Sequence, residues 1–248
     1  MVVWALGDLH LPGGADKPMD VFGPHWRDHP RRIAESWRAL VSPDDWVLVP
    51  GDVSWAMRLE DAEADLEWLG RLPGRKIVLR GNHDYWWGSV SKVRDALPEG
   101  TKALQNDAFD VGGPVVAGAR GWRLPGSEDW DPDSDPRYVE RELGRLRLSL
   151  DAAAEMGAGG PGRPLLAMTH YPPIQSGGRT AFSDLLAERG VSVCVYGHLH
   201  AAGDWPPDLD AEVDGVRYLL ASADYAGFSP RRVWPRSEER RVGKECAT

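Results

Sequence analysis

Short apolar runs alternate with longer amphipathic stretches along most of the chain. The runs are five or six residues long and rich in Val, Leu and Ile, which predicts buried strands over residues 2–7, 46–50, 76–80, 115–119, 165–169 and 191–196. Between them, apolar residues recur at helical spacing and predict helices over residues 31–41, 59–72, 89–97, 137–156 and 182–189. This alternation of strand and helix is typical of an α/β protein.

Less regular segments complete the pattern. Residues 126–136 are acidic and contain Pro, which predicts a surface loop inserted before the long helix. Residues 215–222 predict a last strand that belongs to a hairpin. We expect residues 1–235 to form a single domain, because α/β enzymes often reach this length. Residues 236–246 read RSEERRVGKEC, the translation of a common sequencing-library adapter, so we interpret residues 236–248 as a non-native or disordered tail.

The formal net charge of −9 narrows the classes of ligand. Holding long nucleic acids requires a surplus of Lys and Arg on one face, so we expect no stable nucleic-acid binding. A small phosphate ester remains compatible, because bound divalent cations reverse the local charge. No apolar run is long enough to span a bilayer and no secretory signal is visible, so we expect a cytoplasmic protein without membrane contact. Cys194 and Cys246 do not have the spacing of a metal site or a disulfide framework, and Cys194 is expected in the core.

Polar clusters directly follow five of the predicted strands. They are Asp8-Leu9-His10, Gly51-Asp52, Gly81-Asn82-His83-Asp84, Thr169-His170 and Gly197-His198-Leu199-His200. Ligands of open α/β sheets bind at the carboxyl ends of the strands, so we expect these side chains to converge on one site. Five of the seven histidines lie in the clusters, which makes a metal site the leading interpretation.

The spacing within the clusters also favours metal binding. Residues two apart in an extended segment point the same way, so Asp8 with His10, and His198 with His200, can each present two ligands together. Glycines directly before Asp52, Asn82 and His198 let the backbone turn sharply and approach an ion closely. Carboxylate, amide and imidazole ligands suit Mn²⁺, Fe²⁺ or Zn²⁺ and do not select one of them.

The ordered set D-x-H, G-D, G-N-H-[DE], H and G-H-x-H resembles that of the calcineurin-like metallophosphoesterases, over residues 2–225. The resemblance implies a four-layer α/β sandwich of two mixed β-sheets flanked by helices. It also implies two divalent ions bridged by Asp52, the first held by Asp8, His10 and His200 and the second by Asn82, His170 and His198. Residues 17–23, GDVSWAM at 51–57 and NHDYWW at 82–87 resemble a group of bacterial predicted phosphohydrolases that has no settled substrate.

A centre of this kind predicts hydrolysis by a hydroxide that bridges the two ions, with Asn82 and the ions binding the phosphate oxygens. His83 is then free to protonate or stabilise the departing oxygen, with Asp84 as its orienting partner. Arg120 follows a predicted strand and is a candidate contact for the phosphate or the leaving group.

Aromatic residues in the loops after the metal motifs are candidates for the wall of a substrate pocket. They are Trp55, Tyr85, Trp86 and Trp87, and packing within the loops is the alternative role. Other tryptophans, such as Trp37, Trp46 and Trp68, fall on apolar faces and are expected in the core.

The sequence leaves the substrate and the oligomeric state open. Our first hypothesis is a small phosphodiester such as a nucleotide derivative. The alternatives are a phosphomonoesterase acting on a phosphoprotein or metabolite, a nuclease for short oligonucleotides, and a non-catalytic scaffold with the same fold. Every expected ligand is present, which argues against a scaffold. A Rossmann-type protein is disfavoured because no G-x-G-x-x-G follows the first strand.

Overall fold

The computed structural model describes residues 1–14, 19–175, 178–201 and 205–235. The first β-sheet consists of β1 (Val3–Ala5), β2 (Trp46–Val49), β3 (Arg75–Val78), β4 (Thr101–Ala103) and β11 (Arg231–Trp234). Their order across the sheet is β11-β1-β2-β3-β4. The strands from β1 to β4 are parallel and β11 is antiparallel to β1, so the carboxyl ends of β1, β2 and β3 lie at one edge.

The second β-sheet is also mixed. It consists of β5 (Phe109–Asp110), β6 (Val115–Gly118), β7 (Leu165–Met168), β8 (Val191–Tyr196), β9 (Ala211–Val213) and β10 (Val216–Leu220). Their order is β5-β6-β7-β8-β10-β9, with parallel pairing from β6 through β10 and antiparallel pairing at both ends.

Helices cover the outer faces of both sheets. The first sheet is covered by α1 (His29–Leu40), α2 (Leu59–Gly70) and α3 (Val90–Ala96), and the second by α4 (Asp135–Glu155) and α5 (Ala181–Glu188). Short 3₁₀ helices at Met19–Phe22 and Pro24–Trp26 precede α1.

The alternation of side chains along each strand builds the core in layers. In β2, Trp46 and Leu48 pack between the two sheets, whereas Val47 and Val49 pack towards the helices of the first sheet. Successive residues of a strand point to opposite faces, so a strand that is apolar throughout is buried on both. The resulting order of helix, sheet, sheet and helix confirms the predicted four-layer sandwich of two mixed sheets.

The two sheets meet at the edge where the strands end. Gly7, after β1, forms a parallel bridge with Ser222, after β10. The Gly7 amide donates to the carbonyl of Ala221 at 2.7 Å. The loops that follow the strands of both sheets therefore open on a common surface.

The predicted strands and helices all occur, with ends that differ by one or two residues. Four strands were not predicted: β4, β5, β9 and β11 are short edge elements in which apolar alternation is weak. The long helix α4 begins at Asp135, two residues before the predicted start, with Pro136 in its first turn. Cys194 is buried, as expected.

Two further predictions concern the chain as a whole. Residues 236–248 lie outside the described residues, so the interpretation of this tail stays a prediction. Within the described part of the chain, no helix combines the length and the apolar character needed to cross a bilayer.

Candidate metal centre

The loops after the strands contain backbone conformations that L-residues rarely adopt. Asp8, His10, Asp52 and His198 have positive φ values of 52°, 45°, 52° and 75°. Each such residue is strained by on the order of 1–3 kcal/mol, and strain of this kind concentrates at functional sites. Four of the seven predicted ligands therefore occupy conformations that the surrounding structure must hold in place.

Two glycines let these loops approach the carboxylates closely. A Cβ atom on Gly81 would lie 2.0 Å from Oδ1 of Asp52, and a Cβ on Gly197 would lie 2.3 Å from Oδ2 of Asp8. Any side chain at either position would displace a predicted ligand, so glycine is required by the close approach.

The first group of predicted ligands comes from the loops after β1 and β8. Ligand atoms of Asp8, His10 and His200 all lie within 4.8 Å of one another. Nε2 of His10 lies 3.1 Å from Nε2 of His200, which in turn lies 3.7 Å from Oδ1 of Asp8. Three donors from opposite parts of the chain thus point at one small volume.

The second group lies on the other side of Asp52. Oδ1 of Asn82 lies 2.5 Å from Nε2 of His170 and 2.8 Å from Nδ1 of His198. Oδ2 of Asp52 is 3.8 Å from Nε2 of His10 and 3.6 Å from Nε2 of His170. Asp52 therefore stands between the two groups, where a bridging ligand is expected.

Burial disfavours the charged forms of the Asp and His side chains in this site. It raises the pKa of Asp8 to about 8 and also raises the pKa of Asp52. It lowers the pKa values of His10 and His170 well below the ordinary value and that of His198 to about 2. Divalent cations compensate buried carboxylates and bind neutral imidazoles, so the electrostatics of the site fit a metal centre.

The hydrogen bonds of His170 give a second test of that fit. Its Nδ1 lies 2.9 Å from the carbonyl oxygen of Pro50, which can only accept, so Nδ1 carries the proton of the neutral ring. Nε2 then presents a lone pair, yet it lies 2.5 Å from the amide oxygen of Asn82. Two acceptors at this distance repel each other unless both bind one cation. The arrangement fits a metal ligand pair.

His83 lies beside the first group. Its ring centroid is 5.7 Å from that of His10 and 4.4 Å from that of Trp55. Its backbone amide donates to Oδ1 of Asp52 at 2.8 Å. The side chain of His83 thus reaches the edge of the centre while its backbone supports the carboxylate of Asp52.

The role predicted for Asp84 requires correction. Within the described residues, its carboxylate accepts from the amides of Gly81, Asp52 and Val53 at 2.7–2.9 Å and from Nε1 of Trp86 at 3.0 Å, rather than from the His83 imidazole. Asp84 ties together the loops that carry Asp52 and Asn82. It is a structural residue of the site and does not orient the His83 side chain.

The aromatic candidates separate into two pairs. The Trp55 ring stacks on His10 at 4.9 Å, and Tyr85 is half exposed with its ring 6.1 Å from that of His83. Trp86 and Trp87 are buried to 2% and 1% exposure in the core of the first sheet. The prediction that these two wall a pocket is wrong, because their rings pack into the core instead.

Arg120 lies on the side of the second group. Its guanidinium carbon is 5.0 Å from the ring centroid of Trp122 and 5.6 Å from that of Tyr171. The Tyr171 ring is 4.4 Å from that of His198. Arg120 is therefore held on two aromatic rings next to the centre.

Two cavities border the centre, one beside each group of predicted ligands. A cavity of about 250 Å³ is bordered by His10, His83, Trp55 and Trp26. A larger one of about 510 Å³ is bordered by Asn82, His198, Trp122 and Tyr171. Each group of predicted ligands therefore has open space beside it.

Two residues after β10 also support the site and were not predicted from sequence. Ser222 donates its hydroxyl to Oδ2 of Asp8 at 2.9 Å, and Oδ1 of Asp224 lies 3.0 Å from Nδ1 of His200. The signal that could have found them is the one used for the other clusters, since Ser222 ends a predicted strand and Asp224 lies two residues after it.

Comparison with known proteins gives a family match and several relatives. The family described as calcineurin-like phosphoesterase matches residues 1–202. The Gene 66 protein of Mycobacterium phage D29 is 39% identical over 84 residues, which are 33% of this chain and 40% of that protein. The [Acyl-carrier-protein] phosphodiesterase PptH of Mycobacterium tuberculosis is 34% identical over 84 residues, which are 34% of this chain and 21% of PptH. The chain thus spans about two fifths of the phage protein and a fifth of PptH.

The comparison of structures agrees in fold. The crystal structure of Phosphopantetheinyl Hydrolase (PptH) from Mycobacterium tuberculosis has a TM-score of 0.59 and 18% sequence identity, covering 96% of this chain and 97% of that chain. At this identity the likeness concerns the arrangement of sheets and helices.

Proposed function

We propose that this chain, which belongs to the calcineurin-like phosphoesterase family, is a metal-dependent phosphohydrolase that cleaves a small phosphodiester at a dinuclear metal centre. The observation that carries the proposal is the convergence of two groups of donors on either side of Asp52. The proposed ligands of the two ions are Asp8, His10, Asp52, Asn82, His170, His198 and His200. Bound there, two divalent ions would lower the pKa of a water molecule and neutralise phosphate charge.

The chain's own residues then have separate tasks. His83 is the proposed general acid for the departing oxygen, because its ring lies at the edge of the first group without belonging to it. Asn82 orients a phosphate oxygen on the opposite side. Arg120, fixed on Trp122 and Tyr171, supplies a positive charge beside the centre.

The two cavities favour a diester over a monoester. A diester carries two organic groups on phosphorus, and one cavity borders each of the two groups of ligands. The Trp55 ring, which stacks on His10, suits contact with a planar group such as the base of a nucleotide derivative. The relative PptH is named an [acyl-carrier-protein] phosphodiesterase and a phosphopantetheinyl hydrolase. A phosphopantetheinyl diester is therefore the second candidate substrate.

The test begins with metal analysis of the purified protein, followed by turnover assays with added Mn²⁺. We expect two ions per chain and faster turnover of a bis-aryl diester than of the aryl monoester. A nucleotide diester and a phosphopantetheinyl diester are then compared as substrates. Asp52→Asn should abolish turnover, whereas Asp151→Asn, on an aspartate of α4 paired with Arg189, should retain it.

Two other outcomes would point to a different function. Preference for the monoester would identify a phosphomonoesterase and contradict the diester proposal. A protein that binds metal but hydrolyses none of these esters would favour a scaffold.

A further inference from the structure

The segment from Ser222 to Phe228 follows β10 and lies beyond the residues matched by the family. Two of its residues nevertheless contact the first group of ligands, and a third packs against a neighbouring tryptophan. Ser222 donates to Asp8, Asp224 contacts His200, and Phe228 packs edge-on against Trp26 at 5.1 Å between ring centroids. A part of the chain outside the family match thus forms a second layer around one of the two proposed ions.

Asp224 makes the most direct of these contacts. Its side chain is 1% exposed, whereas that of His200 is 32% exposed. Oδ1 of Asp224 lies 3.0 Å from Nδ1 of His200 and also accepts the backbone amide of Tyr225 at 3.0 Å. The backbone contact fixes the carboxylate, so the carboxylate can fix the more exposed imidazole.

The contact also selects the tautomer of His200. A carboxylate accepts hydrogen bonds, so Nδ1 of His200 carries the proton and Nε2 is left as a lone pair. That Nε2 is the atom 3.1 Å from Nε2 of His10 and 3.7 Å from Oδ1 of Asp8. Asp224 therefore turns the metal-binding nitrogen towards the other two ligands.

Trp26 restrains the same imidazoles from a different direction. Its buried ring meets the His10 ring at 5.9 Å and the His200 ring at 5.6 Å, in both cases edge to face. These apolar contacts limit ring rotation but cannot choose between the two ring nitrogens. Among the residues that the structure describes, the hydrogen bond to Asp224 makes this choice for His200.

We propose that Asp224 is a positioning residue for His200 and that it selectively strengthens binding of the ion held by Asp8, His10 and His200. The inference rests on the proposed dinuclear function. Partners that orient a ligating histidine typically contribute a factor of about 10–100 in metal affinity. Metal affinity at the second group should not depend on Asp224, because the Nδ1 atom of His170 contacts the backbone carbonyl of Pro50 instead.

The test is a Mn²⁺ titration of the full chain, monitored by calorimetry and by electron paramagnetic resonance. Asp224→Ala should weaken one of two binding steps by about 10–100-fold and leave the other unchanged. Asp224→Asn should lose less, because its amide oxygen can still accept from Nδ1 of His200. At intermediate Mn²⁺ the variants should show the signal of an isolated ion where the wild type shows a coupled pair.

A matched control is Asp210→Asn, in the same part of the chain. Asp210 pairs with Arg231 at 2.6 Å and accepts the amide of Leu220, so its loss affects local stability without touching the ligands. Both binding steps should remain as in the wild type.

The outcomes separate this inference from the proposed function. Two ions in the wild type with unchanged binding in both Asp224 variants would overturn the positioning role. Equal weakening of both binding steps, together with a lower melting temperature of the metal-free variant, would also overturn it. That result would show that the substitution destabilises the whole protein. A wild type that binds one ion would contradict the dinuclear function, and the positioning role would then stand only if Asp224→Ala weakens that ion.

Discussion

Replacing His83 with alanine separates metal binding from proton transfer. The contact of this residue with the carboxylate of Asp52 is made by its backbone amide, at 2.8 Å from Oδ1, and alanine retains that amide. We therefore expect metal content to be unchanged. Loss of a general acid lowers the rate by about 10²–10⁴-fold. That loss corresponds to about 3–5 kcal/mol in the activation free energy.

The dependence on leaving group distinguishes this role from a structural one. Nitrophenolate departs without protonation, whereas an alkoxide requires a proton. The loss of kcat/KM in His83→Ala should therefore be larger for an alkyl diester than for a nitrophenyl diester of the same acid. Steady-state kinetics on the two esters, with metal analysis of the same samples, provides the assay. Equal losses for both esters, or a variant that lacks metal, would refute the assignment.

Three further predictions concern other parts of the molecule. Asp52→Asn should lose both ions and all measurable turnover, because one carboxylate serves both groups, and metal analysis checks this. Arg120→Ala should raise KM by about 10–100-fold if the guanidinium bonds to a charged phosphate, since such bonds contribute about 1.5–3 kcal/mol; unchanged KM would remove it from the substrate site. Burial lowers the pKa of Lys76 to about 8 from 10.5. Between these pH values the unfolded chain binds more protons, so the free energy of unfolding should rise with pH by about 1–3 kcal/mol, and denaturant titrations of Lys76→Met should lack that rise.

The sequence was most informative where one physical rule determines both pattern and structure. In β2, residues apolar on both faces require burial on both, and the sandwich places Val47 towards the helices and Leu48 between the sheets. The clusters after parallel strands meet because parallel strands end at one edge. Short edge strands such as β11 carry little periodicity, since only one of its residues, Val233, is buried.

Roles within the site were harder to predict, because they depend on side-chain direction. Trp86 and Trp87 follow a metal motif as Tyr85 does, yet both turn into the core. Asp84 has the chemistry of a partner for His83, but backbone amides from two loops occupy its oxygens. The role of Asp224 depends on a contact with His200, 24 residues away in the chain, which spacing within one cluster does not indicate.

The central claim is that donors from near the start of the chain to His200 surround two ions bridged by Asp52. Anomalous scattering from crystals grown with Mn²⁺ tests it most directly. The account predicts two peaks separated by roughly 3.5–4 Å, one beside Asp8, His10 and His200 and the other beside Asn82, His170 and His198. A single peak at this edge, or peaks elsewhere in the molecule, would contradict it.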